Sequence, residues 1–101
     1  MNCLGCDRIF DKAEERKAGI AIFVMGDEYI YSYWQCPSCD QWTIESYHDR
    51  FVGEDSIHLM GPFPPEVGKR CVELIAACPD PFDKNCDCSS HVVLYTGLPS
   101  D

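Results

Sequence analysis

Apolar and polar positions repeat along this chain with two different periods. Ile20 to Met25 is a continuous, partly β-branched apolar run, which predicts a buried strand. Gly26-Asp27 follows as a two-residue hairpin signal. From Glu28 to Gln35 the period is two, with Tyr29, Tyr31 and Tyr33 on one face and Ile30 and Trp34 on the other. Residues 41–48 alternate again, Trp42 and Ile44 opposite Thr43 and Glu45. These segments predict a small antiparallel three-stranded sheet. Beyond Pro64-Pro65 the period becomes helical. Val67, Cys71, Leu74, Ile75 and Cys78 recur at i, i+4, i+7, i+8 and i+11, which predicts an amphipathic helix over 66–77, ended by Pro79.

The remaining segments carry shorter signals. Residues 11–18 read as a short helix, with Asp11 as N-cap, Glu14 reaching back and Gly19 as the stop. Phe51 to Pro65 reads as a loop with room for a short strand around Ile57 to Met60. Residues 80–90 form a loop rich in Asp, Pro and Cys, and Val92 to Tyr95 a short final strand. The tyrosine stripe is expected to pack beneath helix 66–77, the alternative being an exposed aromatic strip for a partner or for stacked nucleotides. The fold class is α+β. The whole chain, 1–101, is expected to be a single domain in which residues 1–48 and 49–101 share one core.

Composition changes this picture at one point. The 46% hydrophobic and 25% charged residues are ordinary for a globular protein, but 8 of 101 residues are cysteine. Met1-Asn2-Cys3 is not followed by a basic segment and an apolar run, so no signal peptide is expected. No apolar run approaches the roughly 20 residues of a membrane span. The expected location is therefore cytoplasmic, where thiols stay reduced and cysteines at ligand spacing serve as metal ligands rather than disulfides.

Two constellations carry that chemistry. The first is Cys3-x-x-Cys6 with Cys36-Pro37-x-Cys39. Each Cys-x-x-Cys turn places two thiolates on one side of a tight knuckle, and two facing knuckles supply four sulfurs at tetrahedral corners. Pro37 presets the second turn, and Trp34 and Trp42 are expected to shield the site from water. The second is Cys78, Cys86, Cys88 and His91, a three-cysteine, one-histidine zinc set at the end of the predicted helix. Cys71 is either a buried core thiol or a ligand in place of His91. His48 and His58 have no ligand-spaced neighbours. Arg8, Lys12 and Lys84 are expected to offset the thiolate charge from outside the ligand sets.

Residues 1–47 resemble the zinc-ribbon and rubredoxin-like group, through Cys3-x-x-Cys6, Cys36-Pro37-x-Cys39 and the aromatic residues nearby. That group usually has glycine directly after each pair. This chain has Asp7 and Asp40, and Asp tolerates the left-handed conformation needed there. The resemblance implies zinc held as a rigid folding or docking unit, or, in the rubredoxin case, one iron that carries single electrons.

Charge then narrows the function classes. Eight basic against seventeen acidic residues give −9, spread evenly over both halves. That disfavours nucleic acid and anionic membrane surfaces as partners. Two zinc ions are expected, and seven thiolates against two dications lower the formal charge further, to −12. With both sites closed by four protein ligands and no catalytic motif, the chain reads as a non-enzymatic module with two structural zinc sites, which binds another protein, a basic one by its charge. The alternatives are an iron electron carrier at the four-cysteine site, and a metal-handling protein with an exchangeable second site.

Overall fold

The computed structural model describes residues 2–10, 15–24, 26–50 and 53–99. Four strands form one antiparallel sheet in sequence order: β1 (Arg16–Val24), β2 (Asp27–Gln35), β3 (Trp42–Asp49) and β4 (Ser56–Phe63). Helix α1 (Pro65–Ala76) and a short α2 (Ser89–Val93) follow. The architecture is α+β, as expected. The sheet has four strands, not three.

The fourth strand lies where the sequence left room for a short strand around Ile57 to Met60, and it runs longer, over Ser56–Phe63. Tyr47 pairs with Ile57 and Glu45 with Leu59, so β4 continues the two-residue alternation of β3. Gly61-Pro62 hid only the extension past Met60, because proline lacks a ladder donor; at the sheet edge that loss is tolerated. The Gly61-Pro62 bond is cis. The short helix expected over 11–18 is a second correction. Residues 11–14 lie outside the described ones, while Arg16 and Ala18 pair with Trp34 and Tyr33 at the start of β1. Cross-strand pairing outweighs the weak helical preference of so short a segment.

Register separates the two sheet faces. Ile20 and Ile22 of β1, Tyr31 and Tyr33 of β2, and Trp42 and Ile44 of β3 share one face, and α1 lies on it through Cys71 and Ile75. Leu94 completes this core from the C-terminal segment. Tyr31 and Tyr33 are thus core residues under the helix, and Tyr33 donates a 2.6 Å hydrogen bond to the Gly97 carbonyl. Close approach of α1 depends on Gly68. A Cβ there would sit 1.9 Å from Trp42 Cδ2, so the helix backbone rests directly on the indole. No helix among the described residues is long and apolar enough to cross a membrane.

The expected strand at Val92–Tyr95 is instead part of α2 and the turn after it. The amides of Val92 and Leu94 donate to the carbonyls of Cys88 and Ser90, and Ser90 Oγ donates to the Leu74 carbonyl at the end of α1. A strand would point residues three apart to opposite faces, whereas a helical turn brings them together. Cys88 and His91 are three apart, and α2 brings the Cys88 thiol and the His91 ring to one side, 3.3 Å apart.

Candidate metal centres

The first cluster is built from two knuckles with the same backbone plan. Asn2 pairs with Ile9 across the first, and Gln35 with Trp42 across the second. Within each, the first cysteine accepts on its carbonyl from the residue four ahead (Asp7 to Cys3, Asp40 to Cys36) at 2.9 and 2.8 Å. Its amide donates to the residue five ahead (Arg8, Gln41) at 2.7 and 3.0 Å. The amide two ahead, Gly5 or Ser38, points at the cysteine sulfur from 3.3 and 3.4 Å. These amides place partial positive charge on the sulfurs, which a thiolate needs.

The knuckles face each other crosswise. Cys3 Sγ lies 3.6 Å from Cys39 Sγ, and Cys6 Sγ 3.4 Å from Cys36 Sγ. Four sulfurs at 2.3 Å from one metal would be about 3.8 Å apart, so the cluster has the dimensions of a tetrahedral thiolate site. Cys3 and Cys36 are buried, while Cys39 is half-buried and Cys6 exposed. The knuckles approach closely at Gly5, where a Cβ would meet Gln41 Oε1 at 2.3 Å and Cys39 Sγ at 3.1 Å, so a larger residue there would push the Gln41 side chain aside. The Leu4 amide donates to Thr43 Oγ1 at 3.0 Å, pinning the first knuckle to β3. Phe10 and Trp34 cover the inner sulfurs with ring centroids 5.4 Å apart. Trp42, expected beside them, belongs to the core under α1 because β3 alternation turns it to the other face. Sequence reading missed Gly5, Thr43 and Phe10, whose roles depend on which segments meet.

The second cluster joins the end of α1 to α2. Cys78 Sγ lies 3.4 Å from Cys88 Sγ and 3.9 Å from Cys86 Sγ. His91 Nδ1 is 3.3 Å from both Cys78 Sγ and Cys88 Sγ. Both groups keep all their ligand atoms within 4.8 Å of one another, and all eight cysteines are free thiols. The ring nitrogen that faces the sulfurs is Nδ1. The other, Nε2, is buried and has no hydrogen-bond partner among the described residues. Nδ1 is therefore the nitrogen placed to meet a metal held by the three sulfurs.

Proton affinities reflect the same crowding. Burial works against the Cys36 thiolate, yet the amides of Cys39 and Ser38 and the neighbouring sulfurs bring Cys36 down to about 6. In the second cluster burial is again opposed, here by the His91 amide and ring and by two thiols, and Cys88 falls to about 6. Cys78 is pushed up to about 12 by burial and by its sulfur neighbours, despite a hydrogen bond from the Asp80 amide. A bound dication would stabilise every thiolate at once.

Other candidates fall outside these groups. Cys71 is fully buried beside Tyr33 and Ile75 in the main core and joins neither cluster, and burial pushes its thiol up to about 11. His48 lies 2.8 Å from Asp27 Oδ2 and stacks on Tyr29 at 4.1 Å, while His58 is exposed on β4. Arg8 pairs with Glu15 at 2.9 Å, and Lys84 lies over the Phe23 ring at 5.6 Å. Lys12 is outside the described residues. A groove of about 730 Å³ beside α1, lined by Lys17, Gln35, Trp42, Lys69 and Glu73 among others, includes none of the eight ligand residues. No protein-family model, curated protein or solved structure matches the chain.

Proposed function

We propose that this protein is a non-catalytic, zinc-stabilised module, a single domain over 1–101, that docks on another protein. The observation that carries the reading is that each cluster is complete within the chain. Four protein donors converge at both places, which fills a tetrahedral shell and leaves no position for a substrate or water. Zinc is the favoured ion, because three thiols and one imidazole in the second cluster form a structural zinc set. The first cluster then acts as a zinc-ribbon-like clamp between the N-terminal segment and the β2–β3 turn. The second ties α1 to α2. Unprotected thiols suit a reducing compartment such as the cytoplasm.

Closed sites give such a protein no chemistry of its own, so its function would lie on its surface. The charge of −9 favours a basic partner. Elemental analysis of protein produced without added metal tests the reading. A ratio of two zinc per chain, colourless protein and loss of the folded state on chelation are expected. A red preparation whose ferric–thiolate absorption bleaches on reduction would replace zinc docking with electron transfer. Rapid release of the second metal from a still-folded chain would make it a metal-handling protein.

A further inference from the structure

The sheet face opposite α1 is only partly covered. The N-terminal knuckle lies on it at Thr43 and Trp34, and Phe82 lies against Gly19. Beyond them, register places Ala21, Ile30, Tyr47 and Ile57 directly beside one another, one from each strand. Ala21 is buried beside Pro81, so the open part of this apolar row is Ile30, Tyr47 and Ile57. Phe23 and Leu59 extend it at opposite corners, and Phe23, Ile57 and Leu59 are 43%, 58% and 39% exposed. Ile57 and Leu59 lie on β4 and Phe23 on the opposite edge strand, and half-buried Ile30 and Tyr47 join them across β2 and β3, so these side chains form a patch rather than scattered surface residues.

The rows on either side of it are acidic. Glu28 and Asp49 pair on one side, and Glu45 lies between Ser32 and Leu59 on the other. Asp55 accepts a hydrogen bond from the Tyr47 hydroxyl, which adds a carboxylate at the rim and fixes the ring. Cations at the β1 edge are Lys84, over the Phe23 ring, and Arg16, over the Phe82 ring, both on the side away from Ile57.

We infer that this face binds a basic amphipathic helix of another protein, its aliphatic stripe along the Ile30–Tyr47–Ile57 row and its lysines or arginines against Glu28, Asp49 and Glu45. Two physical arguments select that occupant. A segment lying on a sheet face, rather than along its edge, leaves its backbone without strand partners. A helix satisfies its own amides, whereas an extended peptide would bury unpaired ones. A second copy of this chain would set acidic rows against acidic rows and add another −9, so self-association is disfavoured. Three strands at about 4.8 Å spacing span about 10 Å, a length covered by about two turns of helix. The inference rests on the docking role proposed above and assigns its surface and partner chemistry.

The test uses the metal-loaded, isotope-labelled full chain and a synthetic amphipathic Leu/Lys helix of about 14 residues. A scrambled peptide of identical composition is the control. Amide shifts are expected to centre on Phe23, Ile30, Glu45, Tyr47, Ile57 and Leu59. Ile57→Ser with Leu59→Ser should weaken binding at least about tenfold, as for central contact residues, with metal content and circular dichroism unchanged. Glu28→Gln with Glu45→Gln should weaken it and flatten its salt dependence. Equal binding of the scrambled peptide, no binding, or shifts around Leu4 and Ile9 instead would overturn this surface. A dimer abolished by Ile57→Ser with Leu59→Ser would overturn it in favour of a second copy. None of these outcomes touches the metal ratio, on which the module reading stands or falls separately.

Discussion

Asp7 and Asp40 occupy the same place in two separate knuckles, each directly after a Cys-x-x-Cys pair, with φ of 68° and 61°. The left-handed conformation turns the chain so that each aspartate amide reaches back to the first cysteine carbonyl. Glycine adopts this conformation without steric cost, and a side chain with a Cβ pays about 1–2 kcal/mol for it, less for Asp. At position 40 the expected order of stability is therefore Gly, then Asp, then Ala, with about 1 kcal/mol between Gly and Ala. At position 7 glycine gains less, because the Asp7 carboxylate accepts a 3.0 Å bond from Asn2 Nδ2. Thermal melts of the metal-loaded variants measure both. Equal stability of Gly and Ala at position 40 would show that the backbone strain argument is wrong.

Metal removal should dismantle the fold rather than loosen it. Structural zinc contributes about 10–16 kcal/mol of apparent folding free energy in small domains, similar to the whole stability of an ordinary one. A chelator strong enough to strip both sites should abolish near-ultraviolet circular dichroism and make eight thiols reactive. In the loaded protein all eight should react slowly, seven through coordination and Cys71 through burial. Cys71→Ala should lower stability by about 2 kcal/mol or less, since it removes a small buried group, and keep the metal ratio unchanged. A fall in that ratio would return Cys71 to the ligand set.

His91 offers a sharper test of the second cluster. Its Nε2 is buried with no partner among the described residues, an arrangement that costs about 1–3 kcal/mol when that nitrogen carries a proton. His91→Cys keeps a fourth donor on the same helical turn and removes the orphaned group, so the second metal should remain bound. His91→Ala removes the donor and should lose that metal while the first site stays filled. Elemental analysis separates these outcomes, and equal metal content in both variants would remove His91 from the ligand set.

Gly68 sits in the interior of α1, where alanine ordinarily favours a helix by about 1 kcal/mol. Here the effect should reverse. The added Cβ would fall 1.9 Å from Trp42 Cδ2, and the buried indole has no room to retreat. Gly68→Ala should destabilise by about 3 kcal/mol, the upper part of the range for overpacking. Chemical denaturation reads the sign directly, and a stabilised variant would mean that α1 does not rest on the indole.

Stability should also fall at alkaline pH. Burial, aided by repulsion from Tyr29 and Tyr95, pushes the Tyr31 phenol from 10 up to about 12. The native state therefore keeps a proton that the unfolded chain loses. Its stabilising effect is complete below pH 10 and is lost as pH rises towards about 12. Tyr33, more deeply buried, is raised in the same direction. Tyr31→Phe should make the decline above pH 10 shallower, and an unchanged slope would show the phenol is not protected.

Spacing alone was enough to mark both ligand groups, the β1–β2 hairpin and the main helix. Cys-x-x-Cys pairs, a Gly-Asp turn and an i, i+4, i+7 stripe are local relations, and a chain expresses them before it knows its neighbours. Where the reading failed, the deciding contacts were distant. Arg16 and Ala18 joined a strand because Trp34 and Tyr33 were there to pair with, and β4 formed against β3 despite Gly61-Pro62. Trp42 went under α1 rather than over the sulfurs, because strand alternation and Gly68 left it a place there. His91 came out helical because its imidazole and the Cys88 thiol converge on one point. The order of residues along the chain thus determined which groups could hold a metal, while the close packing of segments far apart in it decided what shields those groups and how much of each sheet face is covered.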